Sequence, residues 1–355
     1  MRCKFVKTNC SLVLLLSLFA SQSLADAPQI ANISGSIDHG GQTTITGQFF
    51  GSKTPAAPRY WADFESGTAL SSFSLSQNWT SVSPLEHTNV NERPRSTGAI
   101  RSDVAAAGNA VPYVENMNSE RWYLFVKRYY ALDIIADKGP NGFNLKINRM
   151  WGNLSGENNN IYIAWQGNEG FASGRAFNEN TSVSGGSQWF QNILFTPDRW
   201  ITDEIVYAAS DIGVQNGIFD YFRNGTPAWK DRQWQTRTQS LPNAYNMFFF
   251  DQVSNGTGPG PLWIYYDDIY MDDTWARVMA CDSPFWSKCQ DKEIQIPTSW
   301  SDSQIEIIVN LGDFDVNAKS VYLYVVTSEG LVNATGTLLY RCQSCPLPPE
   351  QLSTQ

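Results

Sequence analysis

The stretches RWYLFVKRYYALD (121–133), GFNLKINRMW (142–151) and NIYIAWQ (160–166) decide the fold class. In each, aromatic and β-branched residues alternate with polar ones or run together, a period of two rather than 3.6. The same texture recurs at 200–208, 217–223, 262–271, 304–310 and 320–327, and Gly/Asn/Ser/Pro clusters at 152–159, 185–186 and 254–261 supply the turns. Outside the first 25 residues, no window of a dozen or more carries apolar residues at helical spacing. Many strands at short intervals imply an all-β sandwich or barrel-like fold.

Composition agrees. The 355 residues are 42% hydrophobic and 17% charged, which excludes disorder for the bulk of the chain. A formal charge of −9 argues against a partner held by phosphate contacts, so neither nucleic acid nor an anionic membrane surface is expected. Residues 1–25 read as a secretory signal peptide: Arg2, Lys4 and Lys7, an apolar run from Leu12 to Ala20, then Ser23-Leu24-Ala25. That run is too short for a membrane span, and no second long apolar stretch follows. Cleavage removes three cations and no acid, so −9 becomes −12, and the expected location is periplasmic or secreted. Beyond the signal stand Cys281, Cys289, Cys342 and Cys345, fitting an oxidising compartment. Four cysteines allow three pairings. Proximity favours Cys281–Cys289 and Cys342–Cys345, with cross-linked pairs or a four-thiolate zinc site as alternatives.

PQIANISGSIDHGGQTTITGQFFG (28–51) resembles the opening of an IPT/TIG immunoglobulin-like domain: a first strand ending in a glycine turn, then threonine/isoleucine alternation closed by Phe-Gly. The pattern resumes at ARVMACD (276–282), EIQIPTSWSDSQIEIIVN (293–310) and SVYLYVVTSEGLVN (320–333), with its Trp300-Ser301-Asp302 step. The resemblance implies a discontinuous immunoglobulin-like domain over 26–57 plus 277–345, about the size of one such sandwich. A second domain, 58–276, is then inserted in it, and 346–355 form a flexible tail; two tandem domains are the alternative. The insert opens with DFESG (63–67), passes through GIFDYFRNG (217–225) and closes with YDDIY (266–270), an order similar to concanavalin A-like jelly rolls. That group includes lectin modules, carbohydrate-binding modules, polysaccharide lyases and glycosidases.

The jelly-roll resemblance implies that Asp63 and Glu65 near the first strand meet Asp267 and Asp268 near the last around a structural calcium ion. Neighbours on a strand face opposite ways, so only one of Asp267 and Asp268 reaches such an ion unless a bulge intervenes. Asp313-Phe314-Asp315 starts like a calcium loop but Ala318 stands where glycine is required, so it reads as a turn.

Strand parity yields a second candidate. With Trp122, Leu124 and Val126 in the core, Arg121, Tyr123, Phe125, Lys127 and Tyr129 share the other face. The same rule turns Asn144, Lys146, Asn148, Tyr162 and Gln166 outward, and Arg223 is a candidate addition. One surface of cations, amides and phenols results. It suits sugars, whose hydroxyls and carboxylates accept hydrogen bonds and whose ring faces cover aromatic planes. A cationic groove on an acidic protein selects an anionic glycan.

The paired-carboxylate strand of jelly-roll glucanases is missing, which weighs against glycosidase chemistry. Lyase chemistry needs a proton-moving Tyr or His and a carboxylate neutraliser, with Tyr129, Tyr162, Gln166 and His87 as candidates. The expected function is binding of an extracellular polysaccharide or glycan. The alternatives are a lyase acting on a uronate-containing polysaccharide and a structural surface or assembly protein.

Overall fold

The computed structural model describes residues 26–65, 79–81, 85–89, 93–103, 112–115, 117, 119–131, 144–151, 159–166, 174–180, 186–190, 196–240, 242–243, 245–254 and 263–342. Residues 1–25, read above as a signal peptide, Cys345 and residues 346–355 lie outside them.

The chain is all-β, and among the described residues its strands form three antiparallel sheets. They begin with β1 (Gln29–Gly35), β2 (Gln42–Gln48), β3 (Tyr60–Ala62), β4 (Trp79–Ser81), β5 (Leu85–Thr88), β6 (Ala99–Asp103) and β7 (Pro112–Glu115). The long central strands follow: β8 (Arg121–Tyr130), β9 (Asn144–Trp151), β10 (Asn159–Gln166), β11 (Gly174–Asn180), β12 (Gly186–Phe190), β13 (Trp200–Ala208), β14 (Gly217–Arg223), β15 (Thr226–Trp234), β16 (Met247–Ser254) and β17 (Trp263–Asp272). The last are β18 (Arg277–Cys281), β19 (Lys292–Trp300), β20 (Gln304–Ile308), β21 (Val321–Val326) and β22 (Thr337–Tyr340).

The first and last parts of the chain share one sheet, ordered β1-β2-β20-β19-β18-β21-β22, in which Thr43 pairs with Ile307 and Ile45 with Ile305. Alternation in QTTITGQ and QIEII sends Ile45, Ile305 and Ile307 into a common core with Phe50, Val278, Leu323 and Val325. The strands between form two further sheets, β12-β11-β10-β9-β16-β7-β4 and β15-β14-β13-β8-β17-β6-β5, with β3 against β17. These pack face to face around Trp122, Leu124, Val126, Ile147, Ile161, Ile163, Trp165 and Phe250, all at most 1% exposed.

A third cluster joins the two sandwiches. Tyr123, Phe125 and Tyr270 leave the outer face of the β8 sheet and pack on Trp275, Met279, Ile294, Ile296 and Tyr324. The Cys281–Cys289 disulfide is formed and belongs to this cluster; Cys342 is also disulfide-bonded. Among the described residues no helix is long and apolar enough to cross a membrane.

Candidate functional site

The single polar surface expected from strand parity is divided between two sheets, because β8 lies in one and β9 and β10 in the other. On β8 the parity itself holds, but its outward side is not a solvent side. Tyr123 and Lys127 are 0% and 4% exposed beneath the neighbouring sandwich. Tyr123 donates its hydroxyl proton to Glu204 Oε2 at 2.9 Å, and Lys127 Nζ donates to Glu293 Oε1 at 2.7 Å and Asp313 Oδ2 at 3.0 Å. Arg121 donates to Ser328 O at 3.0 Å and pairs with Glu329, its guanidinium 4.9 Å from the Trp275 ring. These three are docking residues, not a sugar platform. Tyr129, near the strand end, is half-buried, donates to Asp198 and meets the rings of Trp200 and Tyr265. Burial and the Asp198 carboxylate hold its phenol above the usual range, which opposes use as a base.

Arg223 and Asn148, expected on the same surface, are both interior. Asp203 accepts from Arg223 Nε at 2.8 Å and from Arg128 Nη1 at 2.8 Å. Arg128 spans the core to reach Asp251 Oδ2 at 3.1 Å and Asn148 Oδ1 at 2.7 Å on the opposite sheet. Asp203, held by two guanidinium groups, titrates below its ordinary value despite burial. Asp251, with a share of one, is pushed by burial up to about 6.

Three of the four acids expected to bind calcium, Glu65, Asp267 and Asp268, accept from donors of the chain itself. A bulge does intervene: the register of β17 against β8 shifts between Asp267 and Tyr270, and Asp268 has φ +45°. Both carboxylates therefore reach one point, but Arg93 Nη1 stands there, 2.8 Å from Asp267 Oδ2 and 2.8 Å from Asp268 Oδ2. Glu65 accepts from the backbone and hydroxyl of Thr97. Among the described residues no three His, Cys, Asp or Glu side chains are grouped as a metal site. His87 Nε2 is engaged with the Phe64 carbonyl at 3.0 Å.

What remains is the outer face of the β9–β11 sheet. Lys146 and Tyr162 lie there as expected; the side chain of Gln166 lies outside the described residues. Asn148, at φ +52°, is a bulge that asparagine tolerates, and it reverses the parity of β9. Simple alternation points Asn148 out and Arg149 in; the bulge does the opposite. Arg149 consequently lies over the Trp151 ring at 4.1 Å and the Tyr162 ring at 5.5 Å, its Nε donating to Asn160 Oδ1 at 3.0 Å. Lys146 Nζ is 5.0 Å from the same Tyr162 ring, which stacks on Phe177 at 4.8 Å. Phe249 extends the row toward Trp151 at 5.8 Å and stacks on Tyr113 at 5.3 Å. Arg149 and Tyr162 are buried supports, whereas Lys146, Trp151, Phe177, Phe249 and Tyr113 are half-buried. Parity missed Arg149, Trp151, Asn160, Phe177, Phe249 and Tyr113; an Asn-Arg step inside an otherwise alternating strand was the available sign of a bulge.

No family model matches the chain, and no curated protein matches it. Among solved structures, a marine alginate lyase from Aplysia kurodai is similar at 11% identity and a TM-score of 0.45, over 61% of this chain and 99% of that one. An endo-β-1,4-glucuronan lyase from the fungus Trichoderma reesei is similar at 12% identity and 0.42, over 62% and 97%. Sheep galectin-11 is similar at 10% identity and 0.29, over 46% and 97%.

Proposed function

We propose that the protein binds an extracellular acidic glycan on the outer face of the β9–β11 sheet. The observation that carries this reading is the cation-on-aromatic lattice of Lys146, Arg149, Trp151 and Tyr162. Stacked rings offer planes for the apolar faces of pyranoses. The cations, oriented by those rings and by Asn160, attract carboxylates. Among the described side chains of this face, the charged ones are Lys146 and Arg149. Local charge thus opposes the net charge of the chain.

Affinity electrophoresis through polygalacturonate, with neutral glucan as control, tests it. Lys146→Ala and Trp151→Ala should each weaken retention about tenfold, equivalent to about 1.4 kcal/mol. Retention by polygalacturonate should fall with added salt. Equal retention by both polymers, or variants indistinguishable from the parent, would refute it. The second reading, a lyase, is favoured specifically by Tyr162, a phenol flanked by two cations on this same face. Ultraviolet absorbance of an unsaturated uronate, lost in Tyr162→Phe, is its signature.

A further inference from the structure

A second cleft lies away from that face, between the outer surface of β13–β15 and the sandwich that carries β18 and β19. It measures about 250 Å³ and is lined by Trp275, Trp286, Phe222 and charged groups of both sandwiches. That is near the lower limit for small-molecule sites, room for one compact molecule.

Most of its charges are matched. Arg232 Nη2 is 2.6 Å from Asp220 Oδ2, Lys292 Nζ is 3.5 Å from Glu204 Oε1, and Glu329 pairs with Arg121. Lys230, which is exposed, has no ion pair among the described residues, and the buried exception is Arg277. Its side chain is buried, with the residue 6% exposed, yet among the described residues no carboxylate lies within ion-pair distance of it. Its guanidinium lies 3.8 Å over the Tyr123 ring, Nη1 donates to Trp275 O at 2.8 Å, and Nε has no partner. A buried guanidinium in this condition is costly unless an anion completes it. Asp220 Oδ1, also buried and lining the cleft, is an acceptor without a donor. Trp286 supplies a half-buried plane, carried in the loop closed by the Cys281–Cys289 disulfide, with Lys292 Nζ 4.3 Å from its ring.

Together these needs specify a ligand: a carboxylate for Arg277, a hydroxyl to donate to Asp220, and a compact body with an apolar face for Trp286. We propose that the cleft between the sandwiches binds a hydroxylated carboxylate of monosaccharide size, with Arg277 as its anion anchor. The site is separate from the β9–β11 face and does not depend on that reading. Because both sandwiches line it, occupancy also clamps them together.

Calorimetric titration of the full chain with D-glucuronate, and with D-glucose as the uncharged control, tests the proposal. Glucuronate should bind and raise the melting temperature while glucose does neither. Arg277→Gln should weaken binding at least tenfold. If Arg277→Gln fails to fold, Trp286→Ala, at a half-buried ring, carries the same tenfold expectation. No glucuronate binding, equal binding of glucose, or full binding by the folded Arg277 or Trp286 variant overturns the proposal.

Discussion

Replacing Asp251 with Asn should remove one identifiable component of the pH dependence of stability. Asp251 is fully buried, and Arg128, its cation, is shared with Asp203. Burial raises its carboxyl from an ordinary 3.8 to about 6. Between those values the folded chain binds more protons than the unfolded one. The resulting stabilisation is complete below the unfolded value and vanishes as pH rises past 6. Two units at about 1.4 kcal/mol each come to about 3 kcal/mol, of which roughly 2 kcal/mol falls between about pH 4 and pH 7.5. Urea unfolding of the parent and Asp251→Asn at both ends of that window isolates the component, since the other carboxyls titrate in both chains. The parent's stability relative to the variant should fall by about 2 kcal/mol across the window. A difference flat to within about 0.5 kcal/mol, the scatter expected of independent effects, would mean that Arg128 keeps Asp251 ionised throughout and would refute the reasoning.

Lys127→Met should cost about 3–5 kcal/mol in denaturant unfolding by leaving Glu293 buried without its nearest cation, and Lys127→Met/Glu293→Gln should recover at least half. Gly312→Ala should lower the melting temperature, because its φ is +42° and an added Cβ would lie 2.3 Å from the Glu293 carboxylate carbon; Glu293→Ala in the same chain should relieve part of the loss. Serine at both Cys281 and Cys289 should cost about 2–3 kcal/mol, the loop-closure estimate for a separation of 8 residues, and should weaken glucuronate binding by freeing the loop that carries Trp286.

The fold class was legible because alternation is local: Trp122, Leu124, Val126, Ile161 and Ile163 all entered the core that their parity assigned. What covers the opposite face is not local. Tyr123 and Lys127 obeyed the same parity, but a sandwich built partly from residues more than 150 positions later lies over them. A polar or aromatic residue on the outward side of a strand is as suitable for docking as for ligand binding. Only the neighbouring sheet distinguishes the two. Bulges were the second obstacle: one positive φ at Asn148 exchanged the roles of Asn148 and Arg149, and another at Asp268 aimed two adjacent carboxylates at one guanidinium. At that acidic motif the cation between Asp267 and Asp268 is Arg93.

Net charge likewise says little about surfaces here, because many acids are consumed inside. Six of the buried cations, Lys53, Arg93, Lys127, Arg128, Arg223 and Lys292, each have a carboxylate within ion-pair distance, at 2.8, 2.8, 2.7, 2.8, 2.8 and 3.5 Å, whereas Arg149 lies against aromatic rings and Asn160. At these six positions interior charge is paired, as the cost of desolvation requires. Against that pairing Arg277 stands out, and the contrast is with its own neighbours rather than with proteins in general. Lys292 lines the same cleft and has Glu204; Arg277 has an aromatic face and a carbonyl. If the cleft were only an imperfect seam between sandwiches, replacing Arg277 with an apolar residue of similar size would relieve an uncompensated charge and raise stability in every buffer. If the cleft holds an anion, Arg277→Met will be more stable than the parent without ligand, and added glucuronate will narrow or reverse that difference by stabilising the parent alone.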